Sequence, residues 1–244
     1  MILKSAEVSA QQFDSNELAK INKFTLDPLK EEDVFIFKIA MCDNEIDRHF
    51  DVFTLQALND LKNMYVGKTV IKDHSHISDN QVARIYDTDL VQHYEKFTQN
   101  NEIYTQLVAR CYMLNNESNK DLISEIKAGI KKEVSIGCSV NKVKCSICGT
   151  DNIKNYCNHI SGQTYENKMC YYRLEEPIDA YEVSFVAVPA QSKAGTIKEF
   201  KDKVNLSNLQ SKALSIEVFM KSEKFYNEME DYKQNEQKNE RNND

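Results

Sequence analysis

The chain has no apolar run of 18 or more residues, so a membrane-spanning helix is not expected. Its N-terminus, Met1-Ile2-Leu3-Lys4-Ser5-Ala6-Glu7, lacks the long apolar stretch of a secretory signal. Both absences point to a protein made and kept in a cytoplasm. There is no excess of basic residues. The formal net charge is −7, which speaks against nucleic-acid binding, since that function usually shows a basic patch. There is no His-Glu-x-x-His, so a zinc hydrolase of that type is not expected. Tryptophan is absent and prolines number only three, and neither fact excludes anything.

What is present is a hydrophobic fraction of 41%, enough for a core in one domain with accessories. Seven cysteines is an odd number, and four of them lie between Cys138 and Cys157. In a reducing compartment that clustering suggests metal binding rather than disulfides.

Residues 1–30 read as a polar arm or a short helix. Val34 to Ala40 is a strongly apolar strand. Thr54 to Met64 places Leu55, Leu58, Leu61 and Met64 at three-residue intervals, which suggests one face of a helix, with Thr54 as N-cap and Gly67 as stop. Strands follow at Thr69–Lys72, Gln81–Leu90 and Glu102–Met113, with Asn100-Asn101 turning between the last two. Ser118 or Asn119 caps a helix to Ala128, with Leu122, Ile123 and Ile126 inward and Gly129 closing it. Glu133–Val143, Met169–Leu174 and Ala180–Val188 complete the strands, and Pro189 ends the last. These elements do not alternate regularly, so a doubly wound parallel sheet is not expected. A mainly β fold with helices packed outside, as a mostly antiparallel barrel or sandwich of about seven strands, fits better. Residues 199–244 read as a helical stretch and then a disordered polar tail.

Two places carry chemistry. Lys132-Glu133-Val134-Ser135-Ile136-Gly137 brings a serine on a short strand, and Gly137 lets backbone approach a substrate carbonyl. Asp73-His74-Ser75-His76 brings histidines to the end of another strand. A serine hydroxyl becomes a good nucleophile when a base within hydrogen-bond reach takes its proton. His74 and His76 compete for that part, and His76 falls nearer the next turn. Ser139 and Ser184 are decoys for the serine. Secondly, Cys145-Ser146-Ile147-Cys148-Gly149 is followed by Cys157-Asn158-His159. Three sulfurs and one nitrogen suit tetrahedral zinc, as a knuckle inserted at 143–162. Cys170 could stand in for His159. Four protein ligands leave no position for a catalytic water, so the expected role is structural.

Four segments resemble the prohead (head maturation) proteases of tailed bacteriophages, which share a fold with the herpesvirus assemblins. They are Asp47-Arg48 ahead of a helix ending in Val66-Gly67-Lys68; Asp73-His74-Ser75 followed by Val82-Ala83-Arg84-Ile85-Tyr86; Glu133-Val134-Ser135-Ile136-Gly137-Cys138; and Tyr181-Glu182-Val183-Ser184-Phe185-Val186-Ala187-Val188-Pro189-Ala190. Their order and spacing match over roughly residues 30–198. The resemblance implies a β-barrel of about seven strands wrapped by helices, in a protease domain at 31–198. It implies Ser135 as nucleophile and His74 as general base. Arg84 would support the oxyanion side, as an arginine does in assemblins. The zinc knuckle departs from the family pattern. No second histidine stands ready as third member, because His159 is taken by the metal set. Glu182 is the candidate, ahead of Asp73, whose side chain should point to the opposite face.

The resemblance further implies a serine endopeptidase that cleaves scaffold protein and the major capsid protein inside an immature phage head. It implies activity in the host cytoplasm, self-cleavage, and a homodimer or higher oligomer. Ile197-Lys198-Glu199 resembles the family's cleavage sites, with the cut after Glu199. A non-catalytic, zinc-containing capsid-assembly or scaffold-interaction protein on the same fold is the competing reading.

Overall fold

The computed structural model describes residues 15–191 and 193–197. The expected helical and disordered tail over 199–244, the cleavage site after Glu199, and the first half of the N-terminal arm lie outside the described residues.

The elements in chain order are α1 (Ser15–Ile21), β1 (Val34–Asp43), β2 (Asp51–Phe53), α2 (Leu55–Met64), β3 (Thr69–Lys72), β4 (Ala83–Phe97), β5 (Ile103–Leu114), α3 (Lys120–Ala128), β6 (Val134–Cys145), β7 (Thr164–Tyr165), β8 (Lys168–Met169), β9 (Tyr172–Phe185) and β10 (Gly195–Thr196). The protein is mainly β, with helices against the sheet. Eight strands form one sheet, in the order β10-β1-β5-β4-β3-β9-β2, with β6 on β9 as well. The pairs β1–β5, β4–β5 and β6–β9 are long antiparallel ladders, and β9 runs parallel to both β2 and β3. β7 and β8 make a separate small hairpin.

The expected seven-stranded closed barrel is not what the ladders form. Between β10 and the lead-in to β6 there is one isolated bridge, Glu133 to Gly195, with the Thr196 N–H donating to the Lys132 carbonyl at 2.8 Å. β10 is only two residues long, so no ladder can develop there. Gly195 permits this close approach, because a Cβ would meet the Lys132 oxygen at 2.9 Å.

Local sequence explains most elements. Thr54 caps α2, its hydroxyl accepting from the Ala57 N–H at 3.2 Å. The buried residues of α2 are Ala57, Leu58 and Leu61, while Leu55 is 39% exposed. The expected stripe of three-residue steps drifts around a helix of 3.6 residues per turn, so it cannot stay on one face. α3 starts after Asn119, buries Leu122, Ile123 and Ile126, and ends at Gly129 in the left-handed conformation (φ 74°). β4 runs seven residues past the expected end at Leu90. Its outer half is largely exposed and lacks alternation, yet it pairs with β5 as far as Phe97.

The two strands expected at 169–174 and 180–188 fall largely on one strand, β9, which runs from Tyr172 to Phe185, while Met169 belongs to β8. Pro177 sits inside it, beside Glu176 at φ 53° and next to a register shift opposite Ser139 and Val140. A bulge is one of the few places in a sheet that tolerates proline. The main core gathers Phe37, Ile39, Leu58, Leu61, Tyr65, Val70, Leu107, Val134, Val183 and Phe185 between the sheet and helices α2 and α3. α1 joins a smaller cluster of Ile21, Val34, Tyr86 and Tyr112. Its Glu17 accepts from the Tyr86 hydroxyl and pairs with Arg110, and Lys20 meets Asp87 at 2.6 Å. Among the described residues no helix is long and apolar enough to cross a membrane.

Candidate active site and metal centre

The ladder between β6 and β9 pairs Ser135 with Ser184, Ile136 with Val183, and Gly137 with Glu182. Directly opposed residues share a face, and neighbours along a strand alternate. Val134 and Val183 point into the core. Ser135, Gly137, Glu182 and Ser184 therefore share the other face. β3 lies on the far edge of β9, with Thr69 beside Glu182 and Ile71 beside Ser184. The chain leaves β3 straight into the histidine segment.

That exit is a tight turn. The Ser75 N–H donates to the Lys72 carbonyl at 2.9 Å, and Asp73 and His74 both have positive φ, 52° and 51°. Two left-handed central residues define a type I′ turn, for which Asn-Gly is the usual pair. Here the turn is tied to β9 instead. The Asp73 N–H donates to the Phe185 carbonyl at 3.0 Å, and the His74 N–H to Ser184 Oγ at 2.7 Å.

The turn swings the His74 ring over β9, where Nδ1 lies 2.8 Å from Glu182 Oε1. Glu182 is 2% exposed, and its Oε2 is buried with no partner among the described residues. With Glu182 ionised, the carboxylate can only accept, and the contact then places the proton on Nδ1 and leaves Nε2 as the basic nitrogen. Gly137 makes room for this carboxylate, since a Cβ there would lie 2.5 Å from Oε1. The Gly137 carbonyl accepts from the buried Tyr65 hydroxyl at 3.0 Å, and burial pushes the Tyr65 pKa up.

The structure thus brings His74, Glu182 and Gly137 together, with Ser135 half-buried on the same face of the ladder. No hydrogen bond joins Ser135 Oγ to His74 among the described residues. His76 is exposed, and among the described residues it makes no ion pair with a carboxylate. Arg84 is not brought to the pair: its Nη1 donates to the Gly67 carbonyl at 2.8 Å, and it stands on β4 opposite Thr69. Two other quoted segments do meet. Arg48 Nη1 donates to the Pro189 carbonyl at 2.8 Å, and the Arg48 N–H to that of Ala190. Sequence reasoning set Ser184 aside as a decoy. Its tie to His74 spans 110 residues and has no local signature.

The second site occupies the insertion between β6 and β9. One ligand atom from each of Cys145, Cys148, Cys157 and His159 lies within 4.8 Å of every other. The Cys145–Cys148 turn closes with the Gly149 N–H on the Cys145 carbonyl at 2.9 Å, with Gly149 at φ 72°. His159 is held by Tyr165 edge-on to its ring and by the Tyr172 hydroxyl on its carbonyl at 2.8 Å. Its Nδ1 is buried with no partner among the described residues, as a ligand nitrogen would be without its ion. The Thr150 hydroxyl and N–H, then His159 and Cys145, hold the Cys148 thiol down at about 6. Cys170 lies 3.9 Å from Cys145 sulfur to sulfur but is not in the mutual set, and burial pushes its thiol up to about 11. The donors present can hold a metal ion.

A cleft of about 370 Å³ opens beside this knuckle, lined by Ile46, Gln99, Asn100, Ile147 and Met169 among others, and not at His74. The candidate constellation is located by its carboxylate–imidazole contact rather than by the cleft, because such sites are recognised by mutual geometry. Comparison of the chain with protein-family models, curated proteins and solved structures finds no match.

Proposed function

We propose that this chain is a serine endopeptidase of the prohead-protease kind. The observation that carries the reading is the buried Glu182 carboxylate on Nδ1 of His74, on the strand paired with the one bearing Ser135. A buried acid behind a histidine fixes the tautomer and stabilises the imidazolium, which is the support a serine nucleophile requires. In the proposed reaction Ser135 Oγ attacks the peptide carbonyl carbon while His74 Nε2 takes the hydroxyl proton. The C–N bond then breaks, and the same proton passes to the departing amine. Water repeats the sequence on the acyl-enzyme and frees Ser135.

On this reading the substrates are scaffold and major capsid proteins in an immature phage head, with self-cleavage after Glu199. The metal is zinc in a structural role, since three thiolates and an imidazole complete a tetrahedron.

The missing Ser135–His74 hydrogen bond favours a second reading, a non-catalytic zinc-containing assembly protein on the same fold. Loose catalytic hydrogen bonds are common before substrate binds, so the first reading stands ahead. A fluorophosphonate probe separates the two, because only an activated serine is labelled. Wild type should label and Ser135→Ala should not. Co-expression with capsid and scaffold proteins should give processed products only with wild type. Failure of the folded wild type to label or process would leave the assembly reading.

A further inference from the structure

Ser184 is 0% exposed and stands on β9 two residues beyond Glu182, on the same face. We propose that Ser184 is a positioning residue that holds His74 against Glu182. The contact itself is structural. Only its effect on turnover rests on the protease reading given above.

The need for such a residue comes from the turn. Left-handed backbone is uncommon for residues with a Cβ, and two in succession are held only by surrounding structure. Two bonds from β9 do the holding. The one to the Phe185 carbonyl would survive any side-chain change. The one from the His74 N–H to Ser184 Oγ depends on the residue at 184 being a hydroxyl. β9 therefore grips His74 twice, by its backbone at Ser184 and by its ring at Glu182. Two points fixed on one residue define where Nε2 is aimed. A single point would leave the ring free to swing about the other.

Size restricts position 184 as well. Ser135 is directly opposite, with Cβ atoms about 5 Å apart in such a pair. A small side chain that still accepts a hydrogen bond meets both demands. The titratable group in contact with the His74 ring is Glu182 on β9, and Lys72, Asp73 and His76 are its neighbours along the chain.

The test uses full-length wild type, Ser184→Ala and the double variant Ser184→Ala/Asp73→Asn. Each is read by the NMR signal of the His74 Nδ1–H proton and by the separate effects on kcat and KM of peptide hydrolysis. In Ser184→Ala the His74 backbone loses its side-chain anchor while the ring keeps only Glu182, so the Nδ1–H signal should shift and exchange faster with solvent. Turnover should fall about 10–100-fold in kcat, the scale of a small misplacement, with KM little changed. Asparagine tolerates left-handed backbone better than aspartate, so Asp73→Asn should restore part of both losses. Should Ser184→Ala not fold, the near-isosteric Ser184→Cys, whose sulfur is a weak acceptor, is read instead. A His74 Nδ1–H signal identical to wild type in the folded variant overturns the proposal, whatever happens to turnover. If wild type shows no Ser135-dependent hydrolysis, the protease reading fails, and the Nδ1–H signal still decides the role of Ser184.

Discussion

Gly137 and Glu182 face each other across the β6–β9 ladder, and the carboxylate fills the space that a side chain at 137 would need. Gly137→Ala should therefore push Glu182 off His74. Overpacking of this kind costs about 1–3 kcal/mol. Thermal unfolding should show the loss of stability. Hydrolysis should fall further than a purely structural change would make it, with the NMR signal of the His74 Nδ1–H proton displaced. An alanine variant with wild-type stability and turnover would mean the space is not occupied in solution.

The second prediction concerns the proposed triad of Ser135, His74 and Glu182. Glu182→Gln keeps the shape but removes the charge behind His74, and should lower kcat roughly 10³–10⁴-fold. His74→Ala should match Ser135→Ala in severity, while His76→Ala should stay close to wild type. Members of one catalytic unit are not additive, so Ser135→Ala/His74→Ala should be little worse than either alone. Steady-state kinetics on a capsid-derived peptide decide it. Comparable losses for His76 and His74 would remove the assignment.

Metal content is the third. Purified protein should carry about one zinc per chain, as one four-donor set holds one ion. Chelation, or Cys145→Ser or Cys148→Ser, should lower the melting temperature more than it lowers hydrolysis at moderate temperature. Cys170→Ser should keep its zinc. Elemental analysis with calorimetry reads both. Loss of metal from Cys170→Ser but not from a His159→Ala variant would exchange the two ligands.

A fourth follows from Asp51, beside the Arg48 segment at the start of β2. Burial first, and then the neighbouring Asp47, raise its carboxyl from 3.8 to about 6. The folded protein thus holds this proton more tightly than the unfolded chain. The resulting stabilisation is complete below about pH 4 and is lost as pH rises through 6. Asp51→Asn should therefore stabilise the fold at pH 8 and matter little at pH 4. The gain is on the order of 1 kcal/mol, because the group is partly solvated. Melting curves at the two pH values test it, and an equal effect at both would refute the shift.

How far the sequence could be read depended on how local each signal was. The caps Thr54 and Gly129 were legible because a cap is a contact within a few residues. The Cys145–Cys148 and Cys157–His159 pairs were legible for the same reason. β9 was not, because a proline bulge looks like a break in a one-dimensional pattern. Barrel closure was expected from the family resemblance, and a few shared motifs say nothing of whether two residues at Gly195–Thr196 can carry a ladder. The Glu182 candidate came from its place on a strand next to that of the serine. Its actual approach to His74 depends on the left-handed turn at Asp73-His74, which neither residue type announces.

The metal knuckle and the serine lie at opposite ends of one strand pair. Cys145 pairs with Tyr172 at one end, and Ser135 with Ser184 at the other. Without the ion, joining the strands means closing an unrestrained loop over residues 146–171, at an entropic cost that grows with its length. With the ion bound, the loop is already gathered where the strands begin to pair. The zipper should then start at the knuckle and run toward the serine, so Ser135 meets Ser184 and the His74 segment among the last events of folding. Stopped-flow refolding should be slower without zinc, with recovery of any fluorophosphonate labelling trailing the formation of sheet. A chain that is only partly folded would hold its metal before the proposed active site had formed.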